Sequence, residues 1–154
     1  MAQSPPNIGR LFLDGLAGDG VVTGCTGKVL RSFSVEFYGL WSMDDDILHL
    51  DETVRYADGR EIQRHWTVRF DGKGRFHGYD ANRVSRLRAH IVGDKVRMVY
   101  DRPLGGGAEI AAPRVVMDLS QTDDGGVCLN GRVGMLGLVF QRTRAKLRKA
   151  SGLH

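Results

Sequence analysis

The middle of the chain alternates between apolar and polar residues. From His49 to Arg55 the odd positions are polar, while the even positions of the same run are mostly apolar: Leu48, Leu50, Glu52, Val54 and Tyr56. A period of two predicts a β-strand with one buried face. The pattern resumes from Ile62 to Phe70 after the turn sequence Ala57-Asp58-Gly59-Arg60, so the two runs predict a β-hairpin.

The apolar face of this hairpin carries two charged residues, Glu52 and Arg64. If residues of the same face lie opposite one another, the hairpin has a register that contains four pairs. These are Tyr56 with Ile62, Val54 with Arg64, Glu52 with Trp66, and Leu50 with Val68. Glu52 and Arg64 then lie diagonally to each other. Because a lone buried charge is costly, each is expected to be satisfied by the other or by a ligand. A structural ion pair is the plainer interpretation, and a functional site is the alternative.

Similar runs lie on both sides of the hairpin. Lys28 to Trp41 predicts a long strand whose apolar face also carries Arg31. A second hairpin is predicted across Gly93-Asp94, with Ile91 opposite Val96, Ala89 opposite Met98, and Leu87 opposite Tyr100. Further strands are predicted within the ranges 18–26, 75–82, 108–119, 127–131 and 136–144. The range 8–14 fits either a first strand or a short covering turn of helix.

Together these runs predict an all-β protein. About ten short antiparallel strands, joined by turns that use many of the 21 glycines, describe a meander. Closing the meander into a barrel with a packed or ligand-holding interior removes its edges, and a sandwich is the alternative. We expect one domain over residues 1–154, with a loose lead at 1–7 and a basic tail at 145–154 that could form a short helix.

Composition and charge restrict the function only mildly. The net charge of +4 and the pI near 9.3 do not indicate a nucleic-acid partner. Cys25 and Cys128 have no neighbouring Cys or His at metal-ligand spacing, so we expect two buried free thiols, no metal site and no cofactor. The amino terminus shows no secretory signal and the chain shows no membrane-spanning run, which predicts a cytoplasmic protein.

Short segments in order along the chain resemble the domain of unknown function 3833 family, an uncharacterised bacterial family whose members are often lipoproteins. The matching segments are Phe12-Leu13-Asp14-Gly15, residues 27–33, residues 48–52, Tyr56-Ala57-Asp58-Gly59, Arg64-His65-Trp66, Phe76-His77-Gly78 and residues 137–140. The resemblance implies a lipocalin-like (calycin-type) barrel and no established activity. It places Glu52 and Arg64 in the family pattern and supplies no catalytic residue.

The chain departs from the family pattern at two internal places and at its start. The family has a glycine-rich stretch with an acidic residue where this chain has residues 83–90. It has an acidic, tryptophan-containing motif where this chain has Met117-Asp118-Leu119-Ser120. The typical lipoprotein leader is also absent, which puts the membrane attachment that the resemblance implies in doubt.

Three functions remain open at this stage. The first is binding of a small apolar or amphipathic ligand inside the barrel, with candidate residues Arg31, Glu52, Arg64, Trp66 and Tyr100. The second is a structural or interaction module with a filled interior. The third, ranked last, is an enzyme that uses Glu52 as a general base, for which no nucleophile and base are paired in the sequence. The sequence leaves the oligomeric state open.

Overall fold

Ten antiparallel strands follow one another around a closed barrel in the computed structural model, which describes residues 12–13, 15–42, 44, 46–70, 75–80, 86–92, 95–101, 114–135 and 138–150. The strands are β1 (Leu16–Gly24), β2 (Val29–Ser42), β3 (Ile47–Tyr56), β4 (Glu61–Phe70), β5 (Arg75–Asp80), β6 (Arg86–Val92), β7 (Lys95–Asp101), β8 (Arg114–Gln121), β9 (Val127–Met135) and β10 (Leu138–Lys149).

Each strand pairs with its neighbours in the sequence, and β10 closes the sheet by pairing with β1. The predicted all-β meander of about ten strands is therefore confirmed, as a barrel rather than a sandwich. Closure gives every strand a partner on both sides over at least part of its length. The inward faces form the core, whose buried members include Leu16, Phe37, Leu50, Trp66, Leu87, Val127 and Leu147.

The predicted register of the central hairpin is wrong by two residues. In the structure Glu52 lies directly opposite Arg64, and Leu50 lies opposite Trp66. The loop is shorter than the prediction assumed, because the backbone N–H of Tyr56 donates to the carbonyl of Arg60 at 2.8 Å. Gly59 takes the positive φ (93°) that a three-residue loop of this kind requires. A shift of two preserves the faces, so Glu52 and Arg64 still point inward.

The other predicted hairpin has the predicted register. Ile91 lies opposite Val96, Ala89 opposite Met98 and Leu87 opposite Tyr100. On β2, the side chains of Phe33, Val35 and Phe37 are buried, which confirms the apolar face on which Arg31 was placed. Both results rest on strict alternation.

The carboxyl-terminal strand extends further than the sequence analysis predicted. Residues 145–149 continue β10 as far as Lys149, where a short helix within a basic tail had been expected. The inward residues Ala145 and Leu147 are buried, and they alternate with exposed basic residues. This period of two is typical of a strand, so the helix expected from the run of basic residues was wrong. Residues 151–154 and the predicted lead at 1–7 lie outside the described residues.

A short helical turn at Phe12 and Leu13 covers one end of the barrel. The Phe12 ring is buried and packs against the edge of Phe37, with 5.5 Å between the ring centroids. Of the two alternatives for residues 8–14, these two residues thus fit the covering turn. Residues 8–11 and Asp14 lie outside the described part of the chain.

The closing seam between β1 and β10 depends on two glycines that face inward, Gly18 and Gly20. A Cβ at Gly18 would overlap the carbonyl oxygen of Lys146, and a Cβ at Gly20 would overlap the carbonyl oxygen of Arg144, both on β10. Real Cβ atoms do not approach other atoms this closely, so the two strands would have to separate. The missing side chains allow β1 to approach β10 and the core.

We expect Gly18→Ala to lower the free energy of unfolding by about 1 to 3 kcal/mol, because the added methyl group forces the seam apart. Urea unfolding followed by circular dichroism measures the change. Gly24→Ala, in the same strand, is the matched control, since a Cβ there meets Leu30 at an ordinary 3.5 Å. Equal effects of the two substitutions would contradict a specific steric role for Gly18.

Candidate functional site

A buried ion pair interrupts the apolar interior of the barrel. Glu52 on β3 is the single charged residue in the fully buried class among the described residues. Arg64 lies directly opposite on β4 and donates from Nη1 to Oε1 of Glu52 at 3.0 Å. The side chains are 5% and 23% exposed, respectively. The pair is therefore much better shielded from water than an ordinary surface salt bridge.

Arg64 is charged in this setting. Burial works against a charged guanidinium, but the Glu52 carboxylate and the hydrogen bond it accepts outweigh that cost and hold the pKa of Arg64 above its ordinary value. The guanidinium also lies 5.7 Å from the ring centroid of Tyr100. Tyr100 in turn packs against Trp66, with 5.3 Å between the ring centroids. Charge pairing and cation–π contact together fix the position of Arg64.

A second arginine, Arg31 on β2, contacts an aromatic ring near the pair. Its guanidinium lies 5.5 Å from the ring centroid of Tyr56, and the guanidinium of Arg60 lies 5.1 Å from the same ring. The salt bridges found among the described residues do not include Arg31. Arg60 differs in this respect, since its Nε lies 2.8 Å from Oδ2 of Asp58.

The two inward arginines and Glu52 line one cavity of about 80 Å³. The cavity lies toward the end of the barrel that carries the β1–β2 and β3–β4 turns. Its wall is otherwise apolar, apart from two tyrosines, a glutamine and a threonine. The lining residues that matter for binding chemistry are Arg31, Glu52, Tyr56, Arg64, Tyr100, Gln141 and Thr143.

Four of the five predicted site residues thus line the same cavity, namely Arg31, Glu52, Arg64 and Tyr100. Trp66 does not; it is 2% exposed and lies behind Tyr100. Trp66 shares the inward face with Arg64, but the strand order places it deeper in the barrel.

Sequence reasoning missed three polar lining residues, Tyr56, Gln141 and Thr143. The signal for Gln141 and Thr143 was present, because they alternate with the exposed Arg142 and Arg144 on β10. Tyr56 had been placed on the inward face as part of the strand pattern. The contact of its ring with Arg31 and Arg60 depends on the geometry of the β3–β4 turn, which the alternation of apolar and polar residues does not reveal.

Cavities of this composition suit anion recognition. A guanidinium presents several N–H donors in one plane and binds carboxylate or phosphate oxygens in pairs. The described lining residues include no Ser, Cys or His. Within the described part of the chain, no three His, Cys, Asp or Glu side chains gather closely enough to hold a metal ion.

The cysteines lie away from this cavity. Both are free thiols among the described residues, as the sequence predicted. The expectation that both are buried was wrong, because Cys25 is exposed in the β1–β2 turn and Cys128 is half-buried on the outward face of β9. Their sequence spacing carries no information about exposure.

The outer wall has a larger concavity of about 840 Å³ over β9, β10, β1, β2 and β3. Small residues such as Ser32 and Ser34 form its floor, and charges of both signs surround them, including Asp19 and Lys146. Arg55 on its edge is already bound to Glu36 and Glu61. Because this concavity contains no buried charged side chain, the interior cavity is the stronger candidate site.

Comparison with known proteins places the chain among relatives. The family model described as a protein of unknown function, DUF3833, matches residues 3–143. The chain belongs to the DUF3833 family. No curated protein sequence matches it. Within the described residues of this DUF3833 protein, no helix has the length and apolar character needed to cross a bilayer.

The barrel of this DUF3833 protein resembles a solved structure, the crystal structure of Rv2717c from M. tuberculosis. The TM-score is 0.58, and the sequences are 14% identical over 90% of this chain and 92% of that chain. At this level of identity the likeness shows a shared fold alone.

Removing the negative charge of the pair should destabilise the DUF3833 barrel. We expect Glu52→Gln to lower the free energy of unfolding by about 1 to 4 kcal/mol, because Arg64 keeps its charge in a shielded position and loses its counter-ion. Chemical unfolding at neutral pH measures the change.

Glu61→Gln is the matched control for this variant. It makes the same substitution in the same hairpin, but Glu61 pairs with Arg55 on the exposed outer face. We expect its unfolding midpoint to stay close to that of the parent, since exposed pairs contribute little. An unchanged midpoint for Glu52→Gln would show that burial of the pair does not matter for stability.

Proposed function

We propose that this DUF3833 protein binds a small anion, or the anionic head group of an amphipathic molecule, inside its barrel. The observation that carries the proposal is the charge of the cavity wall. The described lining residues supply two guanidinium groups, Arg31 and Arg64, and one carboxylate, Glu52. One positive charge therefore has no matching carboxylate in the wall.

The two arginines differ in how fully they are already engaged. Arg64 is held by Glu52 at 3.0 Å and by the Tyr100 ring. Arg31 is half-buried and contacts the Tyr56 ring, and its charge also acts on the Asp58 carboxylate of the β3–β4 turn, which lies outside the cavity wall. A carboxylate or phosphate entering the cavity would gain charge-assisted hydrogen bonds from Arg31, with little loss of existing pairing. Gln141 and Thr143 supply further hydrogen-bonding groups on β10, which is separated from β2 by β1 alone.

The size of the cavity limits the ligand. A volume of about 80 Å³ is well below the roughly 300–1,000 Å³ of pockets that enclose whole drug-sized ligands. It accommodates a head group rather than an entire lipid. The aliphatic part of the cavity wall, including Val22, Val54 and Val115, would contact the first carbons of an attached chain. This favours a lipocalin-like use of the barrel interior, restricted to the part nearest its end.

The small volume also favours a second candidate, a structural module with a filled interior. In that case the Glu52–Arg64 pair serves packing and orientation, and the functional surface is the outer wall. The two candidates differ in a measurable property, because a filled barrel does not distinguish an anionic ligand from its neutral isostere.

Isothermal titration calorimetry with dodecanoate and with dodecanamide tests the proposal. The two molecules have the same chain and differ in the charge of the head group. We expect dodecanoate to bind and dodecanamide to bind at least about tenfold more weakly, since a hydrogen bond to a charged group contributes about 1.5–3 kcal/mol.

Arg31→Gln should weaken dodecanoate binding by about 10- to 100-fold, through loss of the same interaction. Arg60→Gln is the matched control, because Arg60 contacts the same Tyr56 ring without lining the cavity. No binding of either ligand would support the structural module instead. Equal binding of the acid and the amide would contradict recognition of an anion by Arg31.

A further inference from the structure

Exposed aliphatic side chains gather at the end of the barrel nearest the cavity. On β2, next to the β1–β2 turn, Val29 and Leu30 are 56% and 49% exposed; at the start of β10, Leu138 and Val139 are 74% and 39% exposed. Large aliphatic side chains left in water at one place mark an interaction surface more reliably than scattered ones do.

Strand pairing places these side chains on one rim, formed by the adjacent strands β2, β1 and β10. Thr23 of β1 lies opposite Val29 on one side and opposite Arg142 on the other. The side chain of Leu30 lies against Gly24, whose partner on β10 is Gln141. Leu138 and Val139 come just before Gln141 and extend past the last residue of β1 that pairs with β10. We call Val29, Leu30, Leu138 and Val139 the aliphatic rim.

Positive charge surrounds the aliphatic rim. Lys28 is exposed in the β1–β2 turn, and Arg142 is exposed on β10 directly opposite Arg132 of β9. In the two described turns at this end, residues 25–28 and 57–60, Asp58 is the one carboxylate. Asp58 is already engaged by Arg60, whose backbone N–H and Nε both donate to it.

The opposite end of the barrel carries charges of both signs. Its described turns carry Asp44 and Asp46 between β2 and β3, and Asp123 and Asp124 between β8 and β9. Exposed basic side chains lie there too, among them Lys95 on β7 and Arg148 on β10, and Arg148 is an electrostatic neighbour of Asp124.

We infer that this end of the barrel docks on an anionic lipid surface, with the aliphatic rim inserted among the acyl chains and Lys28, Arg132 and Arg142 at the head groups. Exposed aliphatics bordered by Lys and Arg are the combination that interfacial binding uses. The inference is independent of the proposed function, because a barrel with a filled interior would dock with the same rim.

Vesicle flotation tests the docking. The full chain is mixed with vesicles of phosphatidylcholine alone, or with vesicles that also contain phosphatidylglycerol. We expect binding to the anionic vesicles, weaker binding to the neutral ones, and release at high ionic strength. The double variant Leu30→Ser with Leu138→Ser should reduce binding on the order of tenfold while leaving the fold intact, since both side chains are already exposed.

Two matched controls lie away from this rim. Leu40→Ser removes a leucine that is 73% exposed near the far end of β2, and Lys95→Glu makes the same charge change as Lys28→Glu near the opposite end of the barrel. We expect Leu40→Ser to bind like the parent, and Lys95→Glu to bind better than Lys28→Glu. Equal losses in the rim and control variants would overturn the inference, as would absence of binding to anionic vesicles. A dimer in sedimentation equilibrium that dissociates in the Leu30→Ser, Leu138→Ser variant would also overturn the inference, since a second copy of the chain would then cover the rim.

Discussion

The close approach of β1 to β10 is the constraint on which the rest of this barrel depends. Gly18 and Gly20 leave no room for a Cβ against the backbone of Lys146 and Arg144, and this tight seam joins the first strand to the last. Once the seam closes, every second residue of each strand faces an enclosed space and loses contact with water. Each inward residue must then pack against apolar neighbours or find a polar partner. The properties of the interior site follow from this requirement.

Glu52 and Arg64 satisfy that requirement by facing each other across one strand pair. A directly opposed pair brings Nη1 and Oε1 to 3.0 Å without distortion of either strand. Arg31 is not part of this ion pair. It lies on β2, and its guanidinium contacts the Tyr56 ring. Aromatic contact stabilises a guanidinium without neutralising it. The wall of the small cavity therefore carries a second guanidinium in addition to the Glu52–Arg64 pair.

Alternation in the sequence was sufficient to predict most of the strands, their inward faces and four of the residues that line the cavity. The inward placement of Arg31, Glu52 and Arg64 needs nothing beyond a period of two, and that period survives a register error of two residues. What it could not provide was the length of the loop at Gly59, which decides whether Glu52 opposes Trp66 or Arg64. Depth along the barrel is also invisible in one strand, since it depends on the stagger of all ten. For this reason Trp66 and Tyr100 looked equivalent, although only Tyr100 reaches the cavity.

The interior cavity and the aliphatic rim lie toward the same end of the barrel, and the same strands build both. β2 contributes Leu30 to the outside and Arg31 to the inside in consecutive positions, while β10 contributes Leu138 to the rim and Gln141 to the cavity. An amphipathic molecule bound at this end would place its charged group near Arg31 and its apolar part near the aliphatic side chains, which is the order found across one leaflet of a membrane. An aliphatic rim docked on a membrane and a cavity that binds a head group would thus present charged and apolar groups in the same order. Neither requires the other, because the rim depends on exposed side chains and the cavity on buried ones.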